Sequence, residues 1–204
     1  SQGVASYKRI KTFLDAKVSV KDDPSVKPVE PLEGRITFKN LDFSYPDDPE
    51  RKILNDISVS IEKGEMVGVL GRTGSGKSTF VDLLLRLYNV KKGSLYLDDH
   101  DIMSMPIHQV RDQIAYVPQD NFLFSDTILN NIGFSEPAMP EEKASYYAKL
   151  ADVHDNIADF SHGYQTEIGE RGVTLSGGQK QRISIARALA KDAPILILDD
   201  SVSA

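Results

Sequence analysis

Gly71-Arg72-Thr73-Gly74-Ser75-Gly76-Lys77-Ser78 is the stretch on which the reading of this chain turns. It fills G-x-x-x-x-G-K-[ST] at every fixed position. Glycines let the backbone curl so that successive N–H groups converge on one anion. A helix opening at the end of the loop adds its partial positive charge at the same place. In such a loop Lys77 reaches the outer phosphates of a bound polyphosphate and the Ser78 hydroxyl offers an oxygen to Mg²⁺. A glycine-rich turn matches by accident in under roughly 1% of chains of this length at average residue usage. The context here argues against accident. The apolar run at residues 66–70 reads as a buried parallel strand, and residues 77–88 read as a helix. The phosphate-binding set therefore runs from Gly71 to Thr79.

Outward from the loop, strand and helix signals alternate. Ile36, Phe38, Leu41, Phe43 and Tyr45 mark strands, a loop follows at Pro46-Asp47-Asp48-Pro49, and Ile57, Val59 and Ile61 alternate as a half-buried strand. Beyond the loop come strands at 94–97 and 114–117, a helix-rich stretch at about 126–160, a helix at 176–190 and a strand at 195–198. Such alternation predicts a parallel sheet flanked by helices. The fold class expected is α/β, a P-loop NTPase (RecA-like) parallel sheet core with an antiparallel β subdomain and a helical insert subdomain at about 120–190. Val4, Tyr7, Ile10, Phe13 and Leu14 recur at helical spacing before a charged, proline-bearing linker at residues 17–31. Residues 1–31 are thus expected to be a linker and 32–204 the folded domain.

Composition narrows the function classes. The 204 residues are 40% hydrophobic and 26% charged, as in a globular domain with a substantial core. With 24 basic and 30 acidic residues the net charge is -6, which disfavours blanket nucleic-acid binding. The chain has no cysteine, so disulfides, thiolate metal sites and cysteine nucleophiles are excluded. No apolar run approaches the roughly 18 residues of a membrane span. The first residue is Ser1, and the chain is expected to be a piece of a longer polypeptide.

A second anion motif separates this chain from other phosphate-loop proteins. In Leu175-Ser176-Gly177-Gly178-Gln179, Ser176 can cap a helix, and the Gly177 and Gly178 N–H groups make another anion site at its N-terminus. One domain does not need two such sites for one terminal phosphate. Together with the phosphate loop the pentapeptide resembles the signature of ATP-binding cassette (ABC) proteins. That resemblance implies two domains dimerised head to tail, each ATP lying between one phosphate loop and the partner's Ser176, Gly177, Gly178 and Gln179.

The resemblance extends from Leu32 to the end of the chain. Tyr45, in Phe43-Ser44-Tyr45-Pro46, is similar to the family's adenine-stacking aromatic, although in isolation such a residue is more often core. Gln119, in Val117-Pro118-Gln119, resembles the Q-loop glutamine that touches Mg²⁺ and the membrane domain. Thr166-Glu167-Ile168-Gly169-Glu170-Arg171-Gly172 resembles the loop that contacts intracellular helices in ABC exporters; without that likeness it is a charged surface turn. The opening segment from Ala5 to Asp15 is similar to the junction between an exporter's last membrane helix and its motor.

Ile195-Leu196-Ile197-Leu198-Asp199 resembles the Walker B strand, four apolar residues burying it and Asp199 holding Mg²⁺. The family's next residue is usually the Glu that polarises the attacking water; here it is Asp200. Asp is one methylene shorter, and a misplacement of about 1 Å costs on the order of a hundredfold in rate. This resembles the degenerate-site subunit of heterodimeric ABC exporters. Ser201 to Ala204 begin the family's D-loop, and the C-terminal end is expected to be incomplete. His100, His108, His154 and His162 all precede Asp199, so none is the switch histidine, and they read as surface residues.

The expected activity is that of an ABC-type ATPase motor binding ATP and Mg²⁺, weak at its own site. It would act at the cytoplasmic face of the cell membrane with a second nucleotide-binding domain and the transporter's transmembrane domains, and without nucleic acid. The alternative is a regulatory half that clamps its partner without hydrolysing. A soluble ABC ATPase of translation or DNA repair would show basic surfaces or tandem cassettes, and neither is evident.

Overall fold

The computed structural model describes residues 20–65, 67 and 76–199, which fall into two compact units, 20–114 and 115–199. The first is built on four antiparallel strands in the order β2-β1-β3-β4: β1 Ile36–Phe43, β2 Leu54–Ile61, β3 Leu95–Leu97 and β4 His100–Asp101. Helix α1 spans Lys77–Leu84 and α2 spans Ile107–Asp112.

In β1, Ile36 and Phe38 face the core, and so do Leu41 and Phe43, an odd number of residues further on. Strict alternation would put the second pair in solvent. Register shifts between Phe38 and Leu41 and between Leu41 and Phe43, with Asn40 at φ 48°, insert the extra residue that restores the inward face. The bulge's polar groups are satisfied locally: Asn40 N–H donates to Ser58 Oγ at 2.8 Å, and its Nδ2 donates to Asp56 Oδ1 at 2.8 Å. Strand β2 is the sheet edge. Leu54 is buried and Ile57 and Ile61 are partly covered, but Val59, expected inside, is 45% exposed.

The helix expected over 77–88 ends at Leu84. Arg86 takes φ 55°, its N–H bonds Leu83 O at 3.1 Å, and the Leu87 N–H bonds Asp82 O at 2.9 Å. That pair of bonds is a Schellman stop, usually made by glycine. With arginine there, the sequence carries no stop signal. The Arg86 side chain is almost fully buried and donates from Nη1 to Tyr88 O at 3.0 Å and Asn89 Oδ1 at 2.9 Å. Arg111 on α2 donates to Leu85 O at 2.9 Å and Arg86 O at 3.2 Å, capping the helix end from 26 residues away in sequence.

The segment read as a linker is extended and tied to α2. Ile107 N–H donates to Asp22 Oδ1, Gln109 exchanges two hydrogen bonds with the Val29 backbone, and Leu32 N–H donates to Gln113 Oε1.

The second unit is mostly helical: α3 Ile128–Ile132, α4 Glu141–Leu150, α5 His154–Ala158 and α6 Gly177–Ala190. Ile128, Ile132, Ala144, Ala148, Val153, Ile157, Ile183 and Ala186 form its core. Strands β5 Ile114–Val117 and β6 Ile195–Leu198 pair, with the Asp199 N–H on Val117 O at 3.0 Å. The expectation that all four apolar residues bury β6 is corrected. Ile195 is buried, but Leu196 and Leu198 are 42% and 44% exposed, because alternate residues point to opposite faces. His154 is not a plain surface residue either: its Nδ1 lies 2.7 Å from the hydroxyl of buried Tyr164. His100 is partly covered, and His108 and His162 are exposed as expected. Of the strand expected at 66–70 only Val67 is described, and it is exposed.

Candidate nucleotide-binding site

Gly71, Arg72, Thr73, Gly74, Ser75 and Asp200 lie outside the described residues. The first unit positions the remainder of the phosphate loop. Gly76 is the N-cap of α1, at φ 97° and ψ 4°. A Cβ there would lie 3.1 Å from Leu54 Cδ2 and 3.3 Å from Ile53 Cγ2, a tight fit, and the left-handed backbone is what favours glycine. Lys77 and Ser78 follow as the first helical residues; Ser78 is exposed and Thr79 is 1% exposed. Gly76 as N-cap brings no side chain to the start of α1, and the N–H groups of a helix N-terminus suit an anion.

Beside it, a cleft of about 280 Å³ is lined by Tyr45, Asp48, Arg51, Ile53, Gly76 and Ser78, among others. Tyr45 sits two residues past the end of β1. Its hydroxyl donates to Asp82 Oδ2 and accepts from Thr79 Oγ1, both at 2.8 Å. Its ring meets Phe43 and Tyr88 edge to face at 5.1 and 4.9 Å. Burial, opposed by the Thr79 hydrogen bond and reinforced by Asp82, pushes the hydroxyl up to about 12, so it stays protonated near neutrality. The sequence reading placed Tyr45 and Thr79 at the site but missed Asp82, Asp48 and Arg51. Asp82 carried one usable signal: three residues after Thr79 on a helix, it shares Thr79's face.

In the second unit, Gln119 is exposed just beyond β5. Asp199 follows β6, and its Oδ2 accepts from the Tyr116 hydroxyl at 3.2 Å. The backbone bond from Asp199 to Val117 puts Gln119 and Asp199 at one edge of the sheet, the C-terminal ends of both strands. Ligands of open α/β sheets bind at that edge. Taken unit by unit, the donors at the expected metal positions are a hydroxyl on Ser78 in the first, and an amide oxygen on Gln119 and a carboxylate on Asp199 in the second. These are hard oxygens that suit Mg²⁺, which keeps several waters and takes few protein ligands.

The pentapeptide Leu175–Gln179 opens α6. Ser176 Oγ accepts from the Gln179 N–H at 3.1 Å, and Gln179 Oε1 accepts from the Ser176 N–H at 3.0 Å, a reciprocal capping box. Ser176, Gly177 and Gly178 are exposed, and a Cβ on Gly177 would meet nothing within 4 Å. The Ser176 hydroxyl, used as acceptor within the cap, keeps its proton to donate outward. Buried Leu175 anchors the turn. The Thr166–Gly172 loop is folded back on itself: Ile168 bridges Val173, and a Cβ on Gly172 would lie 2.2 Å from Glu167 O.

An α/β fold with a phosphate loop opening α1, and a second helix N-terminus presented by serine and two glycines, defines a P-loop nucleotide-binding domain. The family described as ABC transporter matches residues 54–203, and the chain belongs to that family. Proteins of Staphylococcus aureus strains NCTC 8325 and Mu50, named as multidrug export ATP-binding/permease proteins, are 45% identical to it over 192 residues. That match covers 94% of this chain and 33% of each relative. A solved structure of a bacterial Atm1-family ABC exporter with ATP bound superposes with a TM-score of 0.82 at 37% identity, covering all of this chain and 35% of that one. The chain thus spans about a third of the length of these relatives.

Proposed function

We propose that this chain is the ATP-binding, ATP-hydrolysing motor of an ABC exporter, working as one half of a head-to-tail pair. The observation that carries the reading is the exposed, capped N-terminus of α6, because Ser176, Gly177 and Gly178 form an anion site that the chain's own nucleotide does not require. The relatives named for multidrug export support efflux as the coupled process. Residues 71–79 bind the phosphates of ATP, with Lys77 on the outer two, and Tyr45 contacts the base. Ser78, Gln119 and Asp199 supply oxygens to Mg²⁺, which when bound neutralises phosphate charge. Asp200 is the base that orients water, and its short side chain makes this site slow. The transmembrane domains and a second nucleotide-binding domain, different from this one, are the partners, at the cytoplasmic face of the membrane. Among the described residues no helix is long and apolar enough to cross a bilayer.

The test is site-resolved ATP turnover in the full-length transporter carrying Gly177→Asp. A carboxylate at that N-terminus opposes the terminal phosphate at close range. Hydrolysis at the partner's phosphate loop should collapse while nucleotide binding to this chain persists. Loss of this chain's own binding, with the partner's turnover intact, would reject the head-to-tail reading. Asp200 favours a second reading, a regulatory half that retains ATP and clamps its partner without hydrolysing. Single turnover at this site, with the partner's site disabled, decides between the two.

A further inference from the structure

The aromatic edge of the cleft is held by Thr79, the last residue of the phosphate-binding set, and by Asp82, to which no role has yet been assigned. Tyr45 lies in a loop two residues beyond β1, where an aromatic side chain would ordinarily sample several rotamers. Here its ring packs edge to face against Phe43 and Tyr88, which also meet each other at 5.9 Å, and its hydroxyl is fixed at both valences: it accepts from Thr79 and donates to Asp82, each at 2.8 Å. Thr79 and Asp82 sit one turn apart on α1, the helix that the phosphate loop opens. The ring is thus registered against the phosphate-binding helix itself, 37 residues away in sequence, and not against its own loop.

We propose that Asp82, with Thr79, is a positioning residue for base recognition: it holds the Tyr45 ring in its stacking pose before the nucleotide arrives. The proposal rests on the reading of Tyr45 as the base-contacting residue and adds to it which groups orient that ring. A side chain already ordered in the free protein loses little rotamer freedom on binding, so the benefit falls on the part of the ligand it touches. That part is the purine and not the phosphates.

The experiment measures competition against a fluorescent ATP analogue in the full-length transporter, any second nucleotide site being disabled at its phosphate-loop lysine. ATP and inorganic tripolyphosphate are the competitors, and Tyr45→Phe, Asp82→Ala and Asp82→Asn are the variants. Tyr45→Phe and Asp82→Ala should each weaken ATP by about three- to tenfold, the factor expected for freeing one side chain, and leave tripolyphosphate unchanged. Asp82→Asn keeps an oxygen that accepts from the hydroxyl, and should restore wild-type ATP affinity. Tyr45→Phe removes a single oxygen and carries the test should Asp82→Ala fail to fold. ATP affinity unchanged in both Tyr45→Phe and Asp82→Ala would overturn the inference. So would an equal loss for ATP and tripolyphosphate, which would place the effect on the phosphate loop. A wild-type protein that binds neither competitor would instead overturn the nucleotide-site reading.

Discussion

At the scale of single residues, Gly76 and Ser176 each start a helix, and each is constrained by more than helix formation. Gly76→Ala would hold a Cβ at φ 97° against Leu54 and Ile53. A cost of about 1–3 kcal/mol is expected for such a backbone, read as a lower urea midpoint together with weakened ATP binding. Ser176 separates two roles that one substitution would confuse. Ser176→Ala removes the cap and should cost about 1 kcal/mol. Ser176→Asp caps as well as serine does, so the urea midpoint should hold while partner-site turnover is lost to the added charge. A midpoint that dropped equally for both variants would show that Asp does not replace the cap. Asp200 belongs at this scale too. Asp200→Glu should raise turnover at this site by about tenfold for each 1.4 kcal/mol of barrier recovered, with the partner's site silenced. If Asp200→Asn abolished an appreciable wild-type rate instead, Asp200 would be a competent base.

At the scale of elements, the end of α1 and the start of β1 depend on side chains distant in sequence. Arg111 is the only described side chain bonded to the carbonyls of Leu85 and Arg86. Removing it in Arg111→Ala leaves two acceptors in a partly buried place, at about 1–3 kcal/mol, measurable by urea unfolding. Asp98 performs the corresponding service for β1. Partial burial works to raise its carboxyl, but the N–H groups of Glu33, Arg35 and Gly34 outweigh this and hold it below its ordinary value. A carboxyl lowered on folding stabilises fully above its unfolded pKa, and that stability is lost as pH falls through the lower folded value. Between about pH 5 and the acid end of the carboxylate range, the urea midpoint should therefore fall more steeply for the wild type than for Asp98→Asn. Parallel slopes would show that the three backbone donors do not discriminate charge.

At the scale of the whole molecule, the head-to-tail arrangement gives the remaining prediction. These 204 residues contain no cysteine, so with any cysteine elsewhere in the transporter replaced, an introduced thiol reports on this domain alone. Ser176→Cys, paired with a cysteine in the partner's phosphate loop of the full-length transporter, should crosslink with ATP and not without it. A disulfide needs Cα atoms within about 7 Å, so the bond reports close approach and not mere association. Crosslinking that ignores nucleotide would argue against ATP-driven closure.

The sequence alone determined the features whose causes are short-range. A glycine-rich loop before a helix, a serine three residues ahead of its capping glutamine, and apolar runs of strand length all announce themselves within a few residues. Accordingly β5 and β6 fall at the residues expected, and α6 begins directly after Ser176. Only the tertiary structure decided where distant groups meet. It stopped α1 at Leu84 with an arginine in a glycine's conformation, held there by a buried guanidinium and by Arg111. It put the β1 bulge where alternation would have turned Leu41 outward, and it left Leu196, Leu198 and Val59 exposed although their patterns read as core. It also tied Tyr45 to Asp82 across 37 residues. Spacing along the chain reports which side chains share a face, but not which other element comes to cover that face or bond to it.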